Sequence, residues 1–295
     1  MPKHMNVGRS WITPAKHGLL NSFVGQEVGA TGRMRDIDRL VWIDLTAGDA
    51  ALIDGYEWRR ACSPGIFAYH ATKSTRRVDI VLYEIQPATF DRLLSNLDAH
   101  LPRLGYSKVG EGVYRFEDRV TLRALNASGQ HADVTYLEST DAVLVLNDPN
   151  AITEWAMRPT LVQEAKDRGV WCFRSLSTLG CNVSGIKRMP LDFDGSGEAK
   201  RERRAWFDLI AAQQGALPSY RDLLLAGVER DAAQWAYLLC TAEKWRGSTE
   251  AVVKTELRKI GRTAALAWFQ LDPGGFEEAK RSLFLTKKER GEEAA

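Results

Sequence analysis

The chain has 295 residues, 44% hydrophobic and 26% charged, enough apolar material to bury a core of one large or two modest domains. Its 40 Lys and Arg against 38 Asp and Glu leave a net charge of +2, which neither requires nor excludes a polyanionic partner. A polyanionic partner would have to be met by local clusters.

Cys62, Cys172, Cys181 and Cys240 are scattered with no CxxC pair, so neither a disulfide framework nor a zinc site is expected, and a reducing cytoplasm is. The opening MPKHMNVGRSW lacks the apolar run of a signal peptide. No stretch approaches the roughly 20 apolar residues of a membrane helix, so the chain reads as soluble, without a membrane partner.

In chain order, residues 1–35 are rich in Gly, Ser, Asn and basic side chains and read as an irregular arm with room for one short helix. Residues 36–185 carry the core pattern. LVWIDL, from Leu40, is an apolar run ending in an acid and followed by the small-residue turn TAGDA. VDIVLYE (78–84), VTLRALN (120–126), DAVLVLNDPN (141–150) and VWCFRSLST (170–178) repeat that texture. Runs apolar on both faces suit parallel strands covered on both sides. Between them TFDRLLSNLDAHL places Phe90, Leu93, Leu94, Leu97 and Leu101 on one helical side, and residues 152–167 read as another helix.

Strands alternating with helices predict an α/β, Rossmann-like, doubly wound and mostly parallel sheet with helices on both faces. Residues 186–295 read as a basic and helical extension completing the sheet. EAKRERRAWFDLIAAQQ is a predicted helix, AQWAYLLCTAEKW and AALAWFQL are predicted strands or buried segments, and the terminus is a charged tail. The sequence carries no signal for oligomeric state.

In open sheets of this type ligands bind beyond the carboxyl ends of the strands. Those ends carry Asp44, Glu84, Asn126 and Asn147–Asn150. In IDLTAGDA, the small Ala47 and Gly48 allow close backbone approach to a ligand, although the same residues suit an ordinary strand-to-helix turn. Glu84 is placed to accept hydrogen bonds from both hydroxyls of a ribose, or to be a solvated carboxylate at a strand end. It lies 36 residues beyond Gly48, longer than a simple βαβ unit, so the first helix is long or an insertion flanks the ligand. The amide of Asn126 suits a base edge, or a plain turn. In the loop after the fourth strand, Pro149 fixes the backbone while Asn147 and Asp148 present a carbonyl and a carboxylate. Such acceptors can hold an amine with its lone pair aimed at a methyl group. Trp155 is placed to stack on a flipped base, or to fill the core.

IDLTAGDA, LYE and LNDPN, in that order, resemble the motifs of class I S-adenosylmethionine-dependent methyltransferases. More narrowly, DLTAGDA followed by CSPGIFA and a DP loop resembles the three-Cys-motif partner proteins, a methyltransferase-like family of bacteria and mobile elements. The resemblance covers residues 40–178. It implies S-adenosylmethionine as cofactor, with Asp44, Ala47, Gly48 and Asp49 at its methionine part, Glu84 at its ribose and Asn126 near its adenine. It implies that Asn147, Asp148, Pro149 and Asn150 face the substrate. LNDPN departs from the [ND]PP[YF] signature of amino-methylating enzymes: Asn150 stands where an aromatic would be.

Other chemistries are poorly served. The five histidines, His4, His17, His70, His100 and His131, form no ligand pair, so no metal is expected. Cys181 as a methyl relay competes with a small buried thiol. Ser63 does not sit in a G-x-S-x-G elbow. Basic segments at Arg59–Arg60, Ser74–Arg77, Ile186–Arg188 and Lys200–Arg204, with Trp58 and Trp206 nearby, suit DNA or RNA, or simply solvated faces. The sequence thus leads to a methyltransferase acting on nucleic acid, with a catalytically silent, methyltransferase-like nucleic-acid-binding module as the alternative.

Overall fold

A computed structural model describes residues 13–53, 55–148, 157, 160–178, 223–228, 236–240, 246–259, 261 and 264–269. In chain order its elements are α1 (Thr13–Thr31), β1 (Arg39–Asp44), α2 (Trp58–Ala61), α3 (Ser63–Ala71), β2 (Arg77–Tyr83), α4 (Pro87–His100), β3 (Ser107–Gly110), β4 (Val113–Phe116), β5 (Val120–Leu125) and β6 (Asp141–Asn147). Then come α5 (Leu161–Asp167), β7 (Cys172–Thr178), β8 (Leu223–Val228), β9 (Ala236–Cys240), α6 (Arg246–Lys259) and β10 (Ala264–Phe269).

Among the described residues ten strands form one sheet, ordered β10-β8-β9-β7-β6-β1-β2-β5-β4-β3. Its centre, β5-β2-β1-β6-β7, is parallel throughout and reverses direction of travel between β1 and β6, the doubly wound order of a Rossmann-like fold. The crossover rule then places α3 and α4 on one face and α5 on the other. Both flanks are antiparallel: the β3–β4 hairpin against β5, and β9, β8 and β10 beyond β7. Antiparallel strands are therefore more numerous than the sequence suggests.

The inner strands β1 and β6 are buried on both faces, as a parallel sheet covered by helices requires. Leu40, Val41, Trp42 and Ile43 of β1 are all buried, and each such side chain stabilises the fold by roughly 1.5–3 kcal/mol. Trp42 stacks on Phe67 of α3, with ring centroids 5.5 Å apart. Leu93 and Leu97 of α4 and the following Leu101 are buried, while Phe90 and Leu94 pack against that core from its rim. Of the 152–167 span predicted as a helix, Leu161–Asp167 form α5, and residues 151–156, 158 and 159 lie outside the described residues.

Within residues 1–35, read as an irregular arm with room for one short helix, Thr13–Thr31 form α1, a helix of 19 residues; residues 1–12 lie outside the described residues. Glycines at positions 18, 25 and 29 lower its intrinsic propensity by about 1 kcal/mol each against alanine. Packing overrides that cost: Leu19, Leu20, Phe23 and Val24 are buried. Two of the glycines also permit close contacts. A Cβ on residue 18 would meet the Glu256 carboxylate of α6 at 2.4 Å, and one on residue 25 would meet the His70 ring of α3 at 3.1 Å.

At the amino-terminal edge of the strands, Arg39 forks onto buried Asp141 at 2.8 and 2.6 Å and reaches Asp79 at 3.0 Å. This clamp ties β1, β6 and β2 together at the end opposite the candidate site.

Candidate functional site

The carboxyl ends of β1, β2 and β6 are level, with Asp44 in register with both Leu82 and Leu146. This edge adjoins the reversal of strand order, where open α/β sheets bind ligands. Asp44 is fully buried. Its Oδ1 accepts the backbone N–H of Thr46 at 3.1 Å, and its Oδ2 accepts the Ser63 hydroxyl at 2.5 Å. Burial pushes this carboxyl up to about 7, although both hydrogen bonds favour the ionised form.

The turn after β1 is fastened on several sides. Ala47 donates its N–H to the Tyr83 carbonyl at 2.9 Å. Below it, the Trp58 indole donates to the Ala50 carbonyl at 2.9 Å and the Asn96 amide to that of Asp49 at 2.8 Å. Gly48 has φ +63 and open space where a Cβ would stand, so its backbone is accessible to a ligand. The Asp49 carboxylate accepts the Ala51 N–H at 3.0 Å and lies 3.5 Å from Arg92.

Glu84 follows β2 and is nearly buried. Its Oε1 accepts the Gln86 N–H at 2.8 Å; Oε2 is not engaged by the described residues. Asn126 donates its amide to the Glu84 carbonyl at 2.8 Å and to that of Ile85 at 3.4 Å, so its donor group holds the Glu84 turn. The loop after β5 also presses on β1. A Cβ on residue 129 would stand 2.5 Å from the Leu45 carbonyl oxygen, which requires glycine there.

Asn147 ends β6 and is fully buried. The next backbone N–H, that of Asp148, donates to Thr46 Oγ1 at 2.8 Å, while the Asp148 carboxylate pairs with Lys16 of α1. His17 beside it is pushed down to about 4 by burial first and the neighbouring Lys16 second, so it is neutral at physiological pH. Pro149, Asn150, Trp155, Cys181 and the basic segments 186–188 and 200–204 lie outside the described residues.

The structure therefore gathers Asp44, Ala47, Gly48, Asp49, Glu84, Asn126, Asn147 and Asp148 along one edge of the sheet. Thr46, Ser63 and Lys16 also belong to it, and sequence reasoning missed all three roles. Ser63 was signalled by its place at the head of a helix, just after Cys62, whose sulfur caps the Gly65 N–H, and before Pro64. Thr46 sits inside the motif itself. Lys16 carried no signal, because its helix is glycine-interrupted. Cys62 is buried and its thiol is pushed up to about 12, so it is not a thiolate nucleophile. Among the described residues no group of three or more His, Cys, Asp or Glu is placed to hold a metal, and no helix is long and apolar enough to cross a membrane.

No family model and no curated protein matches the chain. It is similar in structure to the Legionella pneumophila protein LPL1258 of family model DUF519, with 10% identity and a TM-score of 0.49 over 85% of this chain and 95% of that one. Trm1 from Pyrococcus horikoshii, solved with S-adenosyl-L-methionine, matches with 10% identity and a TM-score of 0.40 over 80% of this chain and 58% of that one. An rRNA methylase from Streptococcus thermophilus gives 10% and 0.38 over 76% and 94%. The Rossmann-like assignment rests on the strand order itself, and the reading of the site on its own residues.

Proposed function

We propose that the crevice at the ends of β1, β2, β5 and β6 binds S-adenosylmethionine and that the chain methylates nucleic acid. The observation that supports this best is Glu84. One carboxylate oxygen is fixed by the Gln86 N–H and the other is open, one strand away from the accessible backbone of Gly48. A ribose with two adjacent hydroxyls suits such a carboxylate, and the rest of an adenosyl ligand suits a turn that lets it approach the main chain. These residues fit the cofactor, which when bound supplies a methyl group on a sulfonium centre.

The chain's own part is positioning. Asp44 and Thr46 shape the turn that would carry the methionine end. Asp148, oriented by Lys16 and by Thr46, would accept a hydrogen bond from the acceptor's N–H, with the Asn147 carbonyl as a second acceptor. Incubation with methyl-labelled cofactor and total RNA or DNA tests this. Label in nucleic acid, lost in Asp148→Ala, is expected; no transfer to either polymer would sink the enzyme.

The alternative is a silent binding module. The Lys16–Asp148 pair favours it, since a carboxylate already matched to an ammonium is a weaker acceptor, and so does Asn150 in place of an aromatic. Nucleic-acid binding that is independent of cofactor and unchanged in Asp148→Ala would select it.

A further inference from the structure

Helix α2 and the turn after α3 bring cations together around the Tyr69 ring of α3. The Arg59 guanidinium lies 4.7 Å from the centroid of the Tyr69 ring, and the Lys73 ammonium lies 4.0 Å from it. Lys73 also donates to the Tyr69 hydroxyl at 2.5 Å. Arg60 is exposed on the same short helix and joins the other two in favouring the ionised phenol, whose pKa is lowered chiefly by the Lys73 hydrogen bond.

One neighbouring carboxylate, Glu57, pairs with Arg59 at 2.7 Å. Among the described residues neither Arg60 nor Lys73 has a carboxylate within ion-pair distance, so like charges converge there without full compensation. Repulsion of this kind is relieved by an anion. An Arg and a Lys on one aromatic ring hold fixed positions at small entropic cost, which suits repeated phosphate contacts.

Position points the same way. Helix α3 starts at Ser63, hydrogen-bonded to Asp44 in the candidate site, and Tyr69 is six residues along it, about 9 Å by helical rise. Phosphates held at Tyr69 thus lie about 9 Å along α3 from the residue that touches the candidate site.

We propose that the α2–α3 face, with Arg59 and Lys73 on the Tyr69 ring and Arg60 exposed next to Arg59 on α2, holds the phosphate backbone of a single nucleic-acid strand. It rests on the methyltransferase reading only for what the neighbouring site does.

The test is fluorescence anisotropy with labelled 12-nucleotide single strands, one RNA and one DNA of matching sequence, titrated at several salt concentrations. The proteins are the wild-type chain, the triple variant Arg59→Ala/Arg60→Ala/Lys73→Ala, and the charge-preserving Arg59→Lys/Arg60→Lys/Lys73→Arg. On the strand that wild type binds more tightly, the alanine variant should bind at least tenfold more weakly. Its slope of log affinity against log salt should be shallower by about 2, from roughly 0.7 per lost phosphate contact, while the charge-preserving variant keeps the wild-type slope. All three side chains are at least partly exposed, so losing their contacts with Tyr69 and Glu57 should lower the melting midpoint only slightly, leaving the chain folded at the temperature of the titration. Wild-type affinity and slope in the alanine variant, or no binding of either strand by wild type, overturns the proposal. Calorimetry with S-adenosylmethionine on the same proteins separates the two readings. Cofactor binding with an inert α2–α3 face removes only this surface, whereas a phosphate-binding face without cofactor binding removes only the methyltransferase.

Discussion

The backbone N–H of Asp148 is fastened to the hydroxyl oxygen of Thr46 at 2.8 Å, so the loop after β6 and the turn after β1 form one unit across the reversal point of the sheet. Whatever the β1 turn binds is thereby held in fixed relation to the Asp148 carboxylate.

Thr46→Val, which keeps shape and removes the acceptor, should cost about 1 kcal/mol in urea denaturation. Cofactor affinity should change less than twofold while the methyl-transfer rate falls about tenfold, the split expected when a positioning contact is lost. Equal losses in both would make Thr46 a binding residue instead.

Asp44 predicts a pH dependence of stability. Its carboxyl is raised from the ordinary 3.8 to about 7 in the folded chain by burial. Between those values the folded state holds a proton that the unfolded state has lost, so this group makes stability fall as pH rises from about 4 to 7, with no further change above. Asp44→Asn should flatten that segment of a plot of denaturation midpoint against pH. An unchanged profile would mean the carboxylate is solvated.

His17 works in the opposite sense. Its pKa is lowered from 6.5 to about 4, so the folded state resists protonation and stability is lost as pH falls from 6.5 towards 4. The loss is at most about 2–3 kcal/mol, since the ring is part-buried and solvent screens some of the effect. His17→Gln should shift the acid midpoint of unfolding to lower pH, and measurement by circular dichroism checks it.

Much of the fold was legible because burial on both faces leaves largely apolar runs in LVWIDL, VDIVLYE and DAVLVLN; these became central parallel strands, with VTLRALN, whose burial alternates, and VWCFRSLST, which carries buried Arg174 and Ser175. The hairpin of β3 and β4 was missed. Its strands are four residues each and β3 is exposed throughout, so no apolar pattern marks it. Helix α1 was expected only as one short helix within the arm, because the evidence for its 19 residues is tertiary, in the approach of Glu256 and His70 to its glycines. The 36-residue gap before Glu84 resolves into α2 and α3, which supply Trp58 and Ser63 to the site. Lys16 was invisible because its pairing with Asp148 is likewise tertiary, and Ser63 was legible as a helix start but not as a partner of Asp44.

The clamp at the far end of the sheet gives a stability prediction. Arg39→Ala would leave the almost fully buried Asp141 carboxylate without its fork of hydrogen bonds, at a cost of about 3–5 kcal/mol. Adding Asp141→Asn should recover part of the loss, and a double-mutant cycle in guanidinium measures it. Full additivity would show that the pair is not coupled.

The most direct measurement is calorimetric binding of S-adenosylmethionine and S-adenosylhomocysteine to the wild-type chain and to Glu84→Ala. Micromolar binding of both ligands, weakened by about 1–3 kcal/mol in the variant as ribose hydrogen bonds are lost, is the result predicted. No heat with either ligand, or equal affinity in the two proteins, would contradict the assignment of this crevice to the cofactor.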